Sequence, residues 1–220
     1  MTNRLALFDC DGTLVDSQHT IAQAMEEAFA AAALPPPTRD ATRRVVGLSL
    51  VEAMQQLAPD LAPDRHVALA EAYKVAFQAM RRRGHVDEPL FAGVAALLDA
   101  LEADGWLLGV ATGKSDRGLA LCLGCHDLAD RFATLQTADR HPSKPDPSMA
   151  LAAMRQAGAA PETTLMIGDT SYDMAMGRAA GVTAIGVAWG YHPVADLWQA
   201  GAHHVAERPA EILDYVRTKT

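Results

Sequence analysis

LALFDCDGTLVDS, residues 5–17, decides how the rest of the chain reads. A short apolar run, LALFD (5–9), ends in two aspartates, Asp9 and Asp11, followed by Gly12 and Thr13. A continuous apolar run bounded by turn residues suits a strand buried on both faces of a parallel sheet. Two like charges at the end of such a strand are costly unless something positive offsets them. Open parallel sheets bind ligands beyond the carboxyl ends of their strands. The pair therefore sits where a ligand is expected. Aspartate also serves as a helix N-cap and as a turn residue. That plainer reading suits Asp16 or Asp173 taken singly better than it suits the Asp9–Asp11 pair.

Further apolar runs follow: WLLGVAT (106–112), TLMIGD (164–169), AIGVAWG (184–190) and the weaker ATLQT (133–137). Amphipathic stretches with helical spacing lie between them. Alternating strand and helix patterns predict an α/β, doubly wound, Rossmann-like parallel sheet. Asp9, Thr112 and Asp169 then stand at strand carboxyl ends. The connection between the first two runs, residues 10–105, is far longer than a crossover needs. Most of it reads as helix: SQHTIAQAMEEAFAAAA, TRDATRRVVG, LSLVEAMQQLA and DRHVALAEAYKVAFQAMRRRG, with Pro35, Pro36 and Pro37 breaking the first. The expected organisation is a core of residues 1–16 and 87–220, a helix at 92–104 included, with an inserted α-helical cap at 17–86.

If the first strand and TLMIGD are neighbours, Asp9, Asp11, Asp169 and Asp173 converge. Lys144, in PSKPDP, is one candidate cation, although that stretch also reads as an exposed turn. One lysine does not balance four acids. A divalent ion with hard oxygen ligands does, and Mg²⁺ suits a few carboxylates plus water and phosphate.

With DCDGT (9–13), Thr112 closing a strand, Lys144 before proline and GDTSYD (168–173) in that order, the chain resembles the haloacid dehalogenase-like superfamily from Leu5 to about Tyr191. The inserted helices resemble that superfamily's small cap. PLFAGVAALLDAL, GVATGKS and AGVTAIGVAWGYH are similar to its phosphoglycolate phosphatase-like members. The resemblance implies a phosphatase acting on a small phosphorylated metabolite. Asp9 would attack phosphorus and become an aspartyl-phosphate. Asp11 would protonate the leaving oxygen and then deprotonate the attacking water. Thr112 and the Gly113 amide would bind the phosphoryl oxygens, and Lys144 would offset their charge. Asp9, the backbone carbonyl of Asp11, and Asp169 would hold Mg²⁺. Asp173 would act through water or orient Lys144. Asp11 favours phosphoryl over dehalogenase chemistry, because an alkoxide leaving group needs a proton and a halide does not. A sugar phosphomutase, a pyrophosphatase and a non-catalytic binding protein are the alternatives.

The formal net charge of -8 argues against nucleic-acid binding. No apolar stretch is long enough to span a membrane, and none near the start resembles a signal peptide. The expected location is the cytoplasm, as a monomer or homodimer. Cys10, Cys122 and Cys125 read as reduced, buried, structural thiols. CLGCH (122–126) has haem-attachment spacing without the export that this would need. GVATGKS (109–115) has one residue too few for a phosphate-cradling P-loop, and its Gly109 lies inside a strand. Arg81, Arg82 and Arg83 before Gly84 read as a helix C-terminus. Arg43, Arg44 and His19 are open candidates for substrate contact.

Overall fold

The computed structural model describes residues 2–219. Its described strands are β1 (Asn3–Phe8), β2 (Trp106–Thr112), β3 (Phe132–Thr137), β4 (Ala159–Gly168), β5 (Thr183–Val187) and β6 (His204–Ala206). They form one sheet in the order β3-β2-β1-β4-β5-β6, and every pairing is parallel. This is the doubly wound, Rossmann-like α/β arrangement. Alternate residues of β1 serve opposite faces. Ala6 and Phe8 pack with Leu97, Leu98 and Ile212, whereas Leu5 and Leu7 pack with Met149, Ala153 and Met166. Both faces are covered, which is why the strand reads as an unbroken apolar run.

The covering helices are α5 (Val94–Ala103), α6 (Asp116–Gly124), α7 (Ser148–Ala157), α8 (Ser171–Ala179), α9 (Val194–Gln199) and α10 (Pro209–Lys219). Between β1 and α5 lie α1 (Gln18–Ala31), α2 (Arg39–Val45), α3 (Leu50–Leu57) and α4 (Pro63–Arg82). (Helix numbers follow chain order.) These four helices have a core of their own. Ile21, Met25 and Phe29 of α1 meet Leu69, Tyr73 and Met80 of α4 around Met54, the three-to-four-residue spacing of one buried helix face.

Three details depart from expectation. α1 ends at Ala31, ahead of the proline run. Ala33 turns left-handed (φ 56°), and Leu34 N–H returns to the Phe29 carbonyl, so a C-terminal cap stops the helix before proline has to. β4 begins at Ala159, with an irregular step before Thr164 pairs Leu5. β6, three residues long, carried no periodicity to read. Gly84 does close α4 in a left-handed turn after Arg83. Among the described residues, no helix is long and apolar enough to cross a membrane.

Candidate active site

The strand order reverses between β1 and β4, and the crevice there is the usual ligand position of such sheets. Asp9 follows β1 and Asp169 follows β4. The strands are in register up to Phe8 opposite Ile167, and Asp9 N–H donates to the Ile167 carbonyl at 2.9 Å. The chain then turns sharply at Gly12, whose φ of 86° disfavours a side chain. A Cβ there would lie 2.2 Å from Asp169 Oδ2, so only glycine passes. Asp173, in the first turn of α8, completes a trio with Asp9 and Asp169. Ligand oxygens of the three lie within 4.8 Å of one another, and all three residues are buried.

Lys144 comes from the loop between β3 and α7 and is buried too, not a surface lysine. Its Nζ lies 2.8 Å from Asp9 Oδ1 and donates to Asp173 Oδ1 at 2.7 Å. Asp173 Oδ2 accepts from Thr170 N–H and Oγ1, which caps α8. Asp169 accepts from Thr13 Oγ1 at 2.8 Å and from Tyr191 N–H at 2.9 Å. Neither oxygen of Asp9 has an aligned hydrogen-bond donor. Burial, then the charges of Asp173 and Asp11, outweigh Lys144 and push the Asp9 carboxyl up to about 7. Asp169 is raised as well, by burial, Asp9 and Asp173. Burial lowers Lys144, but Asp173 and Asp9 overcome this and raise it. Three carboxylates against one ammonium leave two negative charges in excess. Hard oxygen donors, the donor-free Oδ2 of Asp9 and that excess fit a divalent cation.

The Asp11 side chain turns away from the trio. It accepts from Ser17 Oγ, and Lys114 Nζ lies 2.9 Å from its Oδ1. Lys114 also holds Glu88 at 2.7 Å, and Glu88 in turn holds Arg81 of α4 at 2.8 Å. Lys114, Glu88, Ser17 and Tyr191 were not among the sequence candidates. Lys114 lies inside GVATGKS, where the near-match to a P-loop draws the eye. In the structure Gly109 is within β2, and Ser115 caps α6.

Asp9, Asp11, Thr112 and Gly113 line a cavity of about 380 Å³. Its far wall comes from the inserted helices and includes Ile21, Met25, Val46, Leu48, Tyr73 and Phe77. The α2–α3 loop is seated on the core. Ser49 N–H donates to Ser143 Oγ at 2.9 Å, and Tyr172 Oη donates to the Arg44 carbonyl at 3.1 Å. A Cβ at Gly113 would lie 2.4 Å from the Leu48 carbonyl oxygen, so this residue must be glycine for the loop to come so close. His19 and Arg43 line a separate pocket of about 40 Å³, and the Arg44 guanidinium faces Asp196 at 3.4 Å. None of these three open candidates lines the main cavity.

Cys10 and Cys122 are buried with sulfurs 3.9 Å apart. Cys125 is exposed, contrary to expectation, because α6 ends at Gly124 and turns it outward. Among the described residues, the acid trio is the one grouping of three or more potential metal ligands, and it does not include Cys122, Cys125 or His126.

Residues 6–187 match the haloacid dehalogenase-like hydrolase family. The chain belongs to that family. It is 36% identical over 214 residues to a protein of Dickeya dadantii (strain 3937) named probable phosphatase IndB, covering 95% of this chain and 91% of the relative. It is 30% identical over 217 residues to a phosphoglycolate phosphatase of Pseudomonas putida, covering 97% and 77%. The crystal structure of a hydrolase from Pseudomonas syringae superposes with a TM-score of 0.85 at 26% identity, covering 99% of each chain. Family and relatives agree on the class of activity: this haloacid dehalogenase-like hydrolase is a phosphatase.

Proposed function

We propose that the chain is a Mg²⁺-dependent, cytoplasmic phosphatase of small phosphate monoesters that works through an aspartyl-phosphate on Asp9, with phosphoglycolate as the reference substrate. The observation that carries this reading is Asp9 itself. It is buried at the floor of the cavity, Lys144 is its ionic partner at Oδ1, and its Oδ2 has no hydrogen-bond donor. A carboxylate left so bare is suited to nucleophilic attack. Lys144 holds it in place and offsets charge on an arriving phosphate. Thr112 and the Gly113 amide, at the end of β2, would bind phosphoryl oxygens. Asp11 lines the same cavity, and in the proposed role it gives its proton to the leaving alkoxide and later takes one from water.

Asp9, Asp169 and the backbone carbonyl of Asp11 would hold the metal. Asp173 is engaged by Lys144 and Thr170 and so positions the lysine. The ion, when bound, would add positive charge beside the phosphoryl oxygens. Residues 17–86 would act as a cap on a core of residues 1–16 and 87–220. Seated, that cap excludes bulk water from the reacting phosphate.

Phosphate release from a panel of small phosphate esters, with and without Mg²⁺, tests the reading. Release should need the metal and fall by at least about 10³-fold in Asp9→Asn. Release that persists in the variant would refute Asp9 as nucleophile. Transfer of labelled phosphate from the protein to a sugar phosphate in place of water would make the chain a mutase.

A further inference from the structure

On the phosphatase reading above, we infer that the natural leaving group carries an apolar body larger than the two-carbon carboxylate of phosphoglycolate, lodged between α1 and α4 against Phe77. The cavity of about 380 Å³ falls within the range that encloses whole organic ligands, far more than a phosphate and two carbons occupy. Its distal wall is mostly aliphatic and aromatic, with Ile21 and Met25 from α1, Val46 and Leu48 from the α2–α3 loop, and Tyr73 and Phe77 from α4, and with Thr42 and Gln78 as polar interruptions. Such a wall offers a carboxylate few donors, the Tyr73 hydroxyl among them, and penalises its desolvation.

The cations deep in this wall are already committed. Arg81 is held by Glu88, Lys114 by Glu88 and Asp11, and Lys74, nearer the surface, by Glu71. Arg81 and Lys114 also stand over the Phe77 ring, at 5.6 and 5.8 Å from its centroid. A substrate carboxylate would have to displace Glu88 or sit beside Asp11, and either costs binding energy. Arg43 and Arg44 do not line the cavity. Arg82 and Arg117 do line it, and both are exposed. They would meet only the far end of a long substrate. Hydrolysis of such an ester breaks the P–O bond: water supplies the oxygen that stays on phosphorus, the leaving oxygen takes a proton, and an apolar alcohol departs with inorganic phosphate.

The test is kcat/KM with Mg²⁺ for ethyl, butyl and hexyl phosphate and for phosphoglycolate. The three primary alkyl esters have leaving groups of nearly equal basicity, so differences among them report the wall and not the chemistry. The expected rise is about fourfold per methylene, with phosphoglycolate below butyl phosphate. Phe77→Ala should flatten the rise, and Phe77→Leu should restore most of it. A flat alkyl series, or phosphoglycolate ahead of hexyl phosphate by tenfold, would overturn the inference and leave the phosphatase reading standing. Phosphate release from none of the four would defeat the phosphatase reading for such esters, and this inference with it.

Discussion

Lys114 is placed to do two separable things. It neutralises Glu88, whose side chain is only 5% exposed, and it fixes the carboxylate of Asp11. Burial raises the Glu88 carboxyl, but Lys114 and Arg81 outweigh it and hold the group below the usual range. Removing one partner of a buried ion pair strands the other charge, at about 3–5 kcal/mol. Because Arg81 remains on Glu88, Lys114→Met is expected to cost about 3 kcal/mol in chemical denaturation. It should also lower kcat about 10–100-fold, by loosening Asp11 in its proposed acid–base role. The double variant Lys114→Met/Glu88→Gln removes the Glu88 charge and leaves Asp11 and Arg81 without their partners. Its stability should recover in part and its kcat should not. Recovery of both would mean that Lys114 serves Glu88 alone. No motif advertises this pairing, since Glu88 lies in an unremarked stretch and meets Lys114 only through the fold. Lys144 was legible because its place before proline belongs to a pattern that spans the chain.

The α2–α3 loop brings the inserted helices onto the core, through Ser49 on Ser143, the Arg44 carbonyl under Tyr172, and Leu48 against Gly113. If the loop must lift for substrate to enter, tethering it should stop turnover. In Ser49→Cys/Ser143→Cys, oxidation is expected to lower kcat at least about tenfold, and dithiothreitol to restore it. Equal turnover before and after reduction, with the crosslink verified by mass, would dismiss the lid. The strands that carry the site were readable because burial on both faces leaves unbroken apolar runs, LALFD and TLMIGD among them. β6 was not, since three residues hold too little pattern. The end of α1 was misread for a related reason. Proline is conspicuous in a sequence, whereas the left-handed Ala33 that closes the helix shows only in the backbone. The wall facing the phosphate site was likewise hidden. Its residues come from two helices and the loop between two others, and only their packing makes them one surface.

Across the whole molecule, the acid trio ties stability to pH and metal. Asp9 is pushed up to about 7 in the fold, from an unfolded value of 3.8. The metal-free folded state therefore holds a proton that the unfolded state has lost, and Asp9 costs more stability as pH rises from about 4 through 7. A divalent ion removes that cost by favouring the ionised trio. Saturating Mg²⁺ should raise Tm by about 5–10 °C at pH 8. The rise should be clearly smaller at pH 5, and Asp9→Asn should lose most of it. A Tm shift equal at both pH values, read by calorimetry, would place metal binding elsewhere. The long reach of the site has another consequence. Tyr191 donates its N–H to Asp169 and takes one at its hydroxyl from Ser17, while Trp189 Nε1 donates to the Thr13 carbonyl. These last contacts come from a segment translated long after Asp9. A nascent chain thus carries Asp9, the proposed nucleophile, through most of synthesis with the surroundings unfinished. Chains released by a premature stop before residue 189 would lack these contacts, and they are expected to show no phosphatase activity.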